Sequence, residues 1–242
     1  MANLLIEIGN TALKAAWVED NVLGKIFRYQ GEKMMDFILS LTEKEKPVIM
    51  TVCSANFVTE EEKAVLEKEC RHLLILDRNN TSLLLNHGMP EYLSYDRAAA
   101  IVAARFLFKD KQVSIFDFGT TLTCDFIDMS GRYLGGNISP GCRTRFKSLE
   151  RYSRTLPLID TPEEIPATGL TLETSIQSGV ISGIMFEIEG YMRQYPGSIM
   201  VFTGGDAIYF AKKMKSSIFV VSNLVPMGLA LITDDYVRKN LQ

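Results

Sequence analysis

The sequence predicts a mixed α/β protein built from two related halves, and three observations predict it. A short signature is written twice: Leu5-Ile6-Glu7-Ile8-Gly9-Asn10-Thr11 and, 110 positions later, Ile115-Phe116-Asp117-Phe118-Gly119-Thr120-Thr121. Each copy opens a run that reads as three hairpin-joined strands. Each run is then followed by alternating helical and extended stretches, the pattern of sheets flanked by helices. The copies stay in step beyond the signature. Trp17-Val18-Glu19-Asp20-Asn21 answers Phe126-Ile127-Asp128-Met129-Ser130, and Leu23-Gly24 answers Leu134-Gly135. Two domains are therefore expected, over residues 1–110 and 111–242.

In chain order, residues 2–8, 12–18 and 23–29 read as strands, with Gly9-Asn10 and Asp20-Asn21 as turn material. Apolar residues at helical spacing run from Met34 to Leu41. A buried strand follows at Val48–Val52, then a charged helix at Thr59–Glu69. Thr59 with Glu62 three residues on makes a capping box for that helix. Leu73–Leu76 is another strand. Asp96–Phe108 is a helix whose run of alanines is small enough to pack closely on a neighbour. The second half repeats the opening with strands at 113–118, 121–128 and 132–139. Helices near 141–151 and 172–194 come next, then a strand at Ile199–Phe202 and a helix from Gly205. A strand at Ile218–Val221 and a helix at Val225–Lys239 close the chain. Pro157, Pro162 and Pro166 mark 150–168 as irregular, a loop beside a cleft or at a domain edge. Trp17 and the methionines read as core.

Composition narrows the function classes. The chain has 242 residues, 47% hydrophobic and 23% charged, with a net charge of -3. That balance lacks the basic face expected of a nucleic-acid binder. No apolar run approaches the roughly 18 residues needed to span a bilayer. The start of the chain enters a strand at once and lacks the basic opening of a signal peptide. Cys53, Cys70, Cys124 and Cys142 stand far apart, with no metal-binding spacing, as free thiols do in a reducing compartment. The expectation is a cytoplasmic protein with no nucleic-acid or membrane partner.

The signature itself points to phosphate chemistry. A carboxylate in an apolar strand is costly unless a cation or a hydrogen-bond donor meets it. A glycine beside it lets a turn present N–H groups to an anion. Gly9 permits that turn, Asn10 and Thr11 supply short donors, and Lys14 is a point charge for phosphate. Asp117 lies among Gly119, Thr120, Thr121 and Thr123, where a cation would satisfy it. Gly135-Gly136-Asn137-Ile138-Ser139-Pro140-Gly141 ends a strand and opens a helix whose N-terminus suits an anion. Thr203-Gly204-Gly205-Asp206 ends a strand where a nucleotide could approach the backbone, although capping by Asp206 or Thr203 explains it nearly as well. Tyr95-Asp96-Arg97 starts the alanine-rich helix, where Asp96 is either a cap or a base, and Arg97 can grip a carboxylate. His72 and His87 have no metal partner at usable spacing.

These five motifs, in this order and over essentially the full length, resemble the type III pantothenate kinases of the acetate kinase, sugar kinase, Hsp70 and actin superfamily. The family pattern D-x-G-N-T-x-x-K stands here as Glu7-Ile8-Gly9-Asn10-Thr11-Ala12-Leu13-Lys14. G-x-D-R stands as Ser94-Tyr95-Asp96-Arg97, and D-x-G-T-x-x-T as Asp117 to Thr123. G-G-x-I-x-P-G stands as Gly135 to Gly141, and T-G-G as Thr203-Gly204-Gly205. The resemblance implies two RNase H-like (actin-like ATPase) domains, mixed sheets flanked by helices, with a cleft between them. It implies ATP-dependent phosphorylation of pantothenate to 4'-phosphopantothenate, the first step towards coenzyme A. Asp96 would be the catalytic base and Arg97 the carboxylate clamp, with Ser94, Tyr95, His87, Gly136 and Leu172 beside the substrate. Residues Glu7 to Lys14 would bind ATP together with Thr120, Gly204 and Gly205. Asp117 would hold potassium or ammonium, and Glu7 is a candidate magnesium ligand. A homodimer is implied, closing each substrate pocket with the neighbour's helix near 172–194.

The chain departs from the family pattern at four positions. Glu7 stands for the usual aspartate, and Ser94 for the glycine of G-x-D-R. His87 and Leu172 align with a tyrosine and a threonine, and Thr171 or Thr174 is placed to substitute for the latter. Two other functions compete: a different small-molecule kinase of the superfamily, and a non-catalytic ATP-binding accessory factor. Retention of Asp96, Arg97 and Asp117 argues against the second.

Overall fold

In the computed structural model, residues 2–20, 22–54 and 56–241 are described; Asn21, half of one expected turn, lies outside them. The first strands are β1 (Asn3–Ile8), β2 (Leu13–Glu19) and β3 (Val22–Tyr29), followed by α1 (Met34–Thr42) and β4 (Ile49–Ser54). Next come α2 (Glu60–Leu66), which ends in a 3-10 turn, β5 (His72–Leu76), α3 (Ser82–Asn86) and α4 (Tyr95–Leu107). The capping box is present: Thr59 Oγ1 accepts from Glu62 N, and Glu62 Oε2 accepts from Thr59 N at 2.9 Å. The second series is β6 (Val113–Phe118), β7 (Thr121–Ile127), β8 (Tyr133–Pro140), α5 (Cys142–Tyr152) and α6 (Leu172–Gln194). It closes with β9 (Ile199–Gly204), α7 (Ala207–Lys213), β10 (Ile218–Val220) and α8 (Leu224–Asn240).

The two sheets share one topology. The first has the order β3-β2-β1-β4-β5, and the second, read from its far end, β8-β7-β6-β9-β10. In each, the first three strands are antiparallel and the remaining two run parallel to the first. The repeated carboxylates hold equivalent places: Glu7 lies opposite Lys14 and Cys53, and Asp117 opposite Thr123 and Thr203.

Strand alternation decides which way these acids face. In β1, Leu4 and Ile6 pack with Ile38 of α1 and Leu66 of α2. The alternate set of Leu5 and Glu7 takes the other face, level with Thr51 and Cys53 of β4. Helix α8 packs on that side, where Thr233 Oγ1 meets Thr51 Oγ1 at 2.7 Å. In the second sheet Phe116, Phe118, Leu122 and Phe202 pack with residues of α5, α6 and α7, leaving Asp117 on the opposite face.

The structure divides the chain differently from the expected boundary at 110/111. One unit takes the chain to Leu107 and again from Asn223, and the other runs Phe108–Ser222. The last helix belongs to the first unit because small residues let it press on α4. Gly228 of α8 lies so close to Ala99 that a Cβ there would stand 2.7 Å from Ala99 Cα. The proline-rich stretch is strapped along the second core. Tyr209 donates its hydroxyl to Pro162 O at 2.7 Å, and Ser178 donates to Pro166 O at 2.8 Å. Not every methionine is core, since Met34 and Met129 are exposed. Among the described residues no helix is long and apolar enough to cross a membrane.

Candidate active site

In the first unit the carboxyl ends of three parallel strands and the start of α4 bring polar groups together, the usual place for ligands in open α/β sheets. Gly9 N–H donates to Ala12 O at 3.0 Å, closing the β1–β2 turn and leaving Asn10 and Thr11 exposed at its tip. Behind the turn, Lys14 Nζ reaches Glu7 Oε2 at 3.2 Å. Burial pushes the Glu7 carboxyl up from its ordinary value; Lys14 opposes that shift, and the nearby Asp96 carboxylate adds to it. Cys53 lies near both acids, and burial, Asp96 and Glu7 together push its thiol well up. Glu7, Cys53 and Asp96 thus form one cluster.

Because Lys14 is the main force holding the Glu7 carboxyl down, its removal has a pH signature. Lys14→Met raises the folded pKa of Glu7 further above its unfolded value. The stability tied to protonated Glu7 is present at low pH and lost as pH rises through that folded pKa. The variant should therefore match the native protein near pH 4 and lose about 1–2 kcal/mol at pH 8. Urea unfolding at both pH values measures it; equal losses would assign Lys14 a packing role instead.

Asp96 is the second residue of α4 rather than a cap outside it. Its Oδ1 accepts from Arg97 N at 2.9 Å, satisfying one of the free N–H groups of the first turn. Arg97 is 8% exposed and Tyr95 4%. Beside them a cavity of about 440 Å³ is lined by Ser54, Asp77, Arg78, Thr81, Ser94 and Tyr95, among others. Asp77, Arg78 and Thr81 were not singled out from sequence. Asp77 did carry the signal, since Leu73-Leu74-Ile75-Leu76-Asp77 again ends an apolar strand on an acid.

His87 does not join this cluster. It caps α3, whose chain is turned by Gly88 at φ +66°. Its carbonyl accepts from Arg105 Nη1 at 2.8 Å, and its Nε2 lies 3.7 Å from Asp235 Oδ2. Arg105 is nine residues beyond Asp96 on α4, about 13 Å at the helical rise. Burial lowers the His87 pKa.

In the second unit the corresponding strand ends hold Asp117, Thr203, Gly204 and Gly205. Gly204 has φ +90°, and a Cβ on it would meet the Asp117 carboxylate and stand 2.5 Å from Phe118 O. Only glycine lets β9 turn this tightly around the acid. The 119–121 turn docks on the start of α5: Gly141 N–H and Thr144 Oγ1 both donate to Thr120 O, at 3.0 and 2.6 Å. Gly136 pairs with Asp125, level with Ile115 and so set back from the strand end that carries Asp117. Asp206 makes no side-chain cap to α7, and burial raises its pKa. Capping by Asp206 therefore does not account for the Thr203–Asp206 motif. Leu172 is 55% exposed at the start of α6, where Thr171 and Thr174 cap one another. Arg145 ties α5 to β8 and α6 through Pro140 O, Ser139 and Glu187.

These arrangements have relatives. A family model for type III pantothenate kinase matches residues 3–194. The type III pantothenate kinase of Bacteroides fragilis (strain YCH46) is 37% identical over 235 residues, covering 94% of this chain and 95% of the relative. That of Phocaeicola vulgatus is 36% identical over 234 residues, covering 94% and 96%. Among solved structures, the activator of the 2-hydroxyisocaproyl-CoA dehydratase from Clostridium difficile, with bound ADPNP, superposes with a TM-score of 0.61. It shares 12% identity, over 100% of this chain and 97% of that one. The ROK hexokinase of Thermus thermophilus gives 0.53 at 10% identity, over 96% and 98%. The last two likenesses concern the fold alone.

Proposed function

The chain belongs to the type III pantothenate kinase family, with the actin-like ATPase fold, and from that premise we propose how its own residues carry the reaction. It is a kinase that transfers phosphate from ATP to pantothenate in coenzyme A biosynthesis. The matched family favours neither a different acceptor nor a non-catalytic factor.

The observation that carries the assignment of roles is the Glu7–Cys53–Asp96 cluster at the strand ends, with buried Arg97 next in sequence. Asp96 takes the proton of the primary hydroxyl as that oxygen bonds to the γ-phosphorus and ADP departs. A base needs only hydrogen-bond reach and correct aim. Arg97 clamps the substrate carboxylate, and Ser94 and Tyr95 wall the acceptor. His87, Leu172 and Gly136 remain in the substrate set only through the resemblance. The turn from Ile8 to Leu13 offers donors to the ATP phosphates, with Lys14 as the cation. Thr120, Gly204 and Gly205 are the nucleotide contacts of the second unit. Phosphoryl transfer depends chiefly on such positioning and charge neutralisation.

The residues fit the cations the family implies. Burial raises the Glu7 carboxyl despite Lys14, so a second positive charge would be favoured there, and Glu7 would hold magnesium. Asp117, with the Phe118 carbonyl at a corner that excludes a Cβ, offers the oxygen ligands of a hard cation and would hold potassium or ammonium. Bound cations neutralise phosphate charge. A homodimer is supported by the outer face of α6. There Phe186 is 65% exposed, and a Cβ on Gly179 or Gly190 would meet nothing within 4 Å. Four free cysteines suit a cytoplasmic setting.

The test is ADP release from ATP and magnesium, with pantothenate and with or without potassium or ammonium. Turnover is expected to need both pantothenate and the monovalent ion. Turnover indifferent to that ion would remove the Asp117 role; none with pantothenate would overturn the function.

A further inference from the structure

The residue before the proposed base is held by a hydrogen bond as well as by packing. Tyr95 is buried at the first position of α4, and its hydroxyl donates to Asn80 O in the β5–α3 loop. That loop is itself closed by several bonds. Asn80 N–H donates to Asp77 O at 3.2 Å, and Asn80 Nδ2 to Ile75 O at 3.1 Å. Asn79 N–H donates to buried Asp77 Oδ1 at 2.9 Å, and Ser82 Oγ to Asn80 Oδ1 at 3.1 Å. Burial, followed by Cys53 and Asp77, pushes the Tyr95 phenol up to about 12, so it stays a donor throughout the working pH range.

We propose that Tyr95 is a positioning residue for phosphoryl transfer: its hydroxyl, anchored on the Asn80 carbonyl, sets the first turn of α4 and so aims Asp96. Tyr95 and Asp96 are consecutive in one helical turn, so a rotation of that turn moves both. The Asn80 bond joins the turn to the end of β5, whose register is fixed by β4. The same loop walls the cavity beside Ser94 and Tyr95. The inference rests on Asp96 as the base.

Tyr95→Phe keeps the ring and removes the hydroxyl. At a temperature well below unfolding, kcat should fall about tenfold while the KM for ATP stays within about twofold, because a misplacement of about 1 Å can cost a positioned reaction about a hundredfold. A kcat within about twofold of native, whatever the melting temperature, overturns the proposal, since a structural bond alone would change only stability. In an Asp96→Asn background the same substitution should cost nothing more, the base it aims being gone. An equal loss in both backgrounds would place the Tyr95 effect elsewhere and sink the proposal. Near-normal turnover of Asp96→Asn alone would remove the base, and with it what Tyr95 is argued to aim.

Discussion

Asp96→Asn lowers kcat about a thousandfold, the middle of the range for loss of a general base, and leaves ADP affinity within about twofold of native. The amide keeps an oxygen where Oδ1 stands, so the bond from Arg97 N at 2.9 Å and the start of α4 are retained. What disappears is the ability to take a proton. Because the Asp96 charge helps push the Glu7 carboxyl up, neutralising it relieves like-charge repulsion, and the variant should be no less stable than native. Steady-state rates with pantothenate and calorimetric titration with ADP measure both sides. A kcat within about tenfold of native would take the base role from Asp96.

Gly228→Ala should be among the most destabilising substitutions of a small residue in the chain. The added methyl would overlap the Ala99 carbonyl and stand 2.7 Å from Ala99 Cα, inside the contact between α4 and α8. Neither side can yield by rotating a side chain, because the obstructing atoms are backbone. The helices must separate, at a cost of about 3 kcal/mol or more, the upper end of overpacking. At roughly 2–4 °C per kcal/mol for a chain of this size, the melting temperature should fall by about 10 °C. Ala99 follows Asp96 by three residues, so surviving folded protein should also lose kcat. A melting temperature within about 2 °C of native would show that the two helices pack more loosely than this geometry.

The duplication was legible because each half repeats chemistry as well as pattern. An apolar strand, an acid, a glycine and small polar residues recur at one spacing, and equivalent strands at equivalent register follow from it. The long α6 helix, Leu172–Gln194, matches its expected limits, since Thr171 and Thr174 mark its start. Asp77 obeys the same apolar-strand-then-acid rule as Glu7 and Asp117, and applying the rule a third time would have found it. The contacts of His87 were not legible in this way. Sequence distance to Asp96 is short, but Gly88 reverses the chain after α3 and Arg105 captures the His87 carbonyl from the far end of α4.

By itself, then, the sequence determined the repeated strand sets, the acids at their carboxyl ends, the helix that starts at Tyr95-Asp96-Arg97, and the family that joins these motifs in one order. Those features are local, written in strand alternation, helical spacing, capping residues and glycine placement. Only the tertiary structure decided that the last helix returns to the first unit and that Glu7, Cys53 and Asp96 share one cluster. It alone tied Tyr95 to Asn80, and His87 to Arg105 and Asp235. Such contacts depend on which small residue meets which backbone across long stretches of chain. Gly228 against Ala99 shows why: Gly228, Gly179 and Gly190 look alike in sequence, yet only Gly228 has a backbone pressed against it.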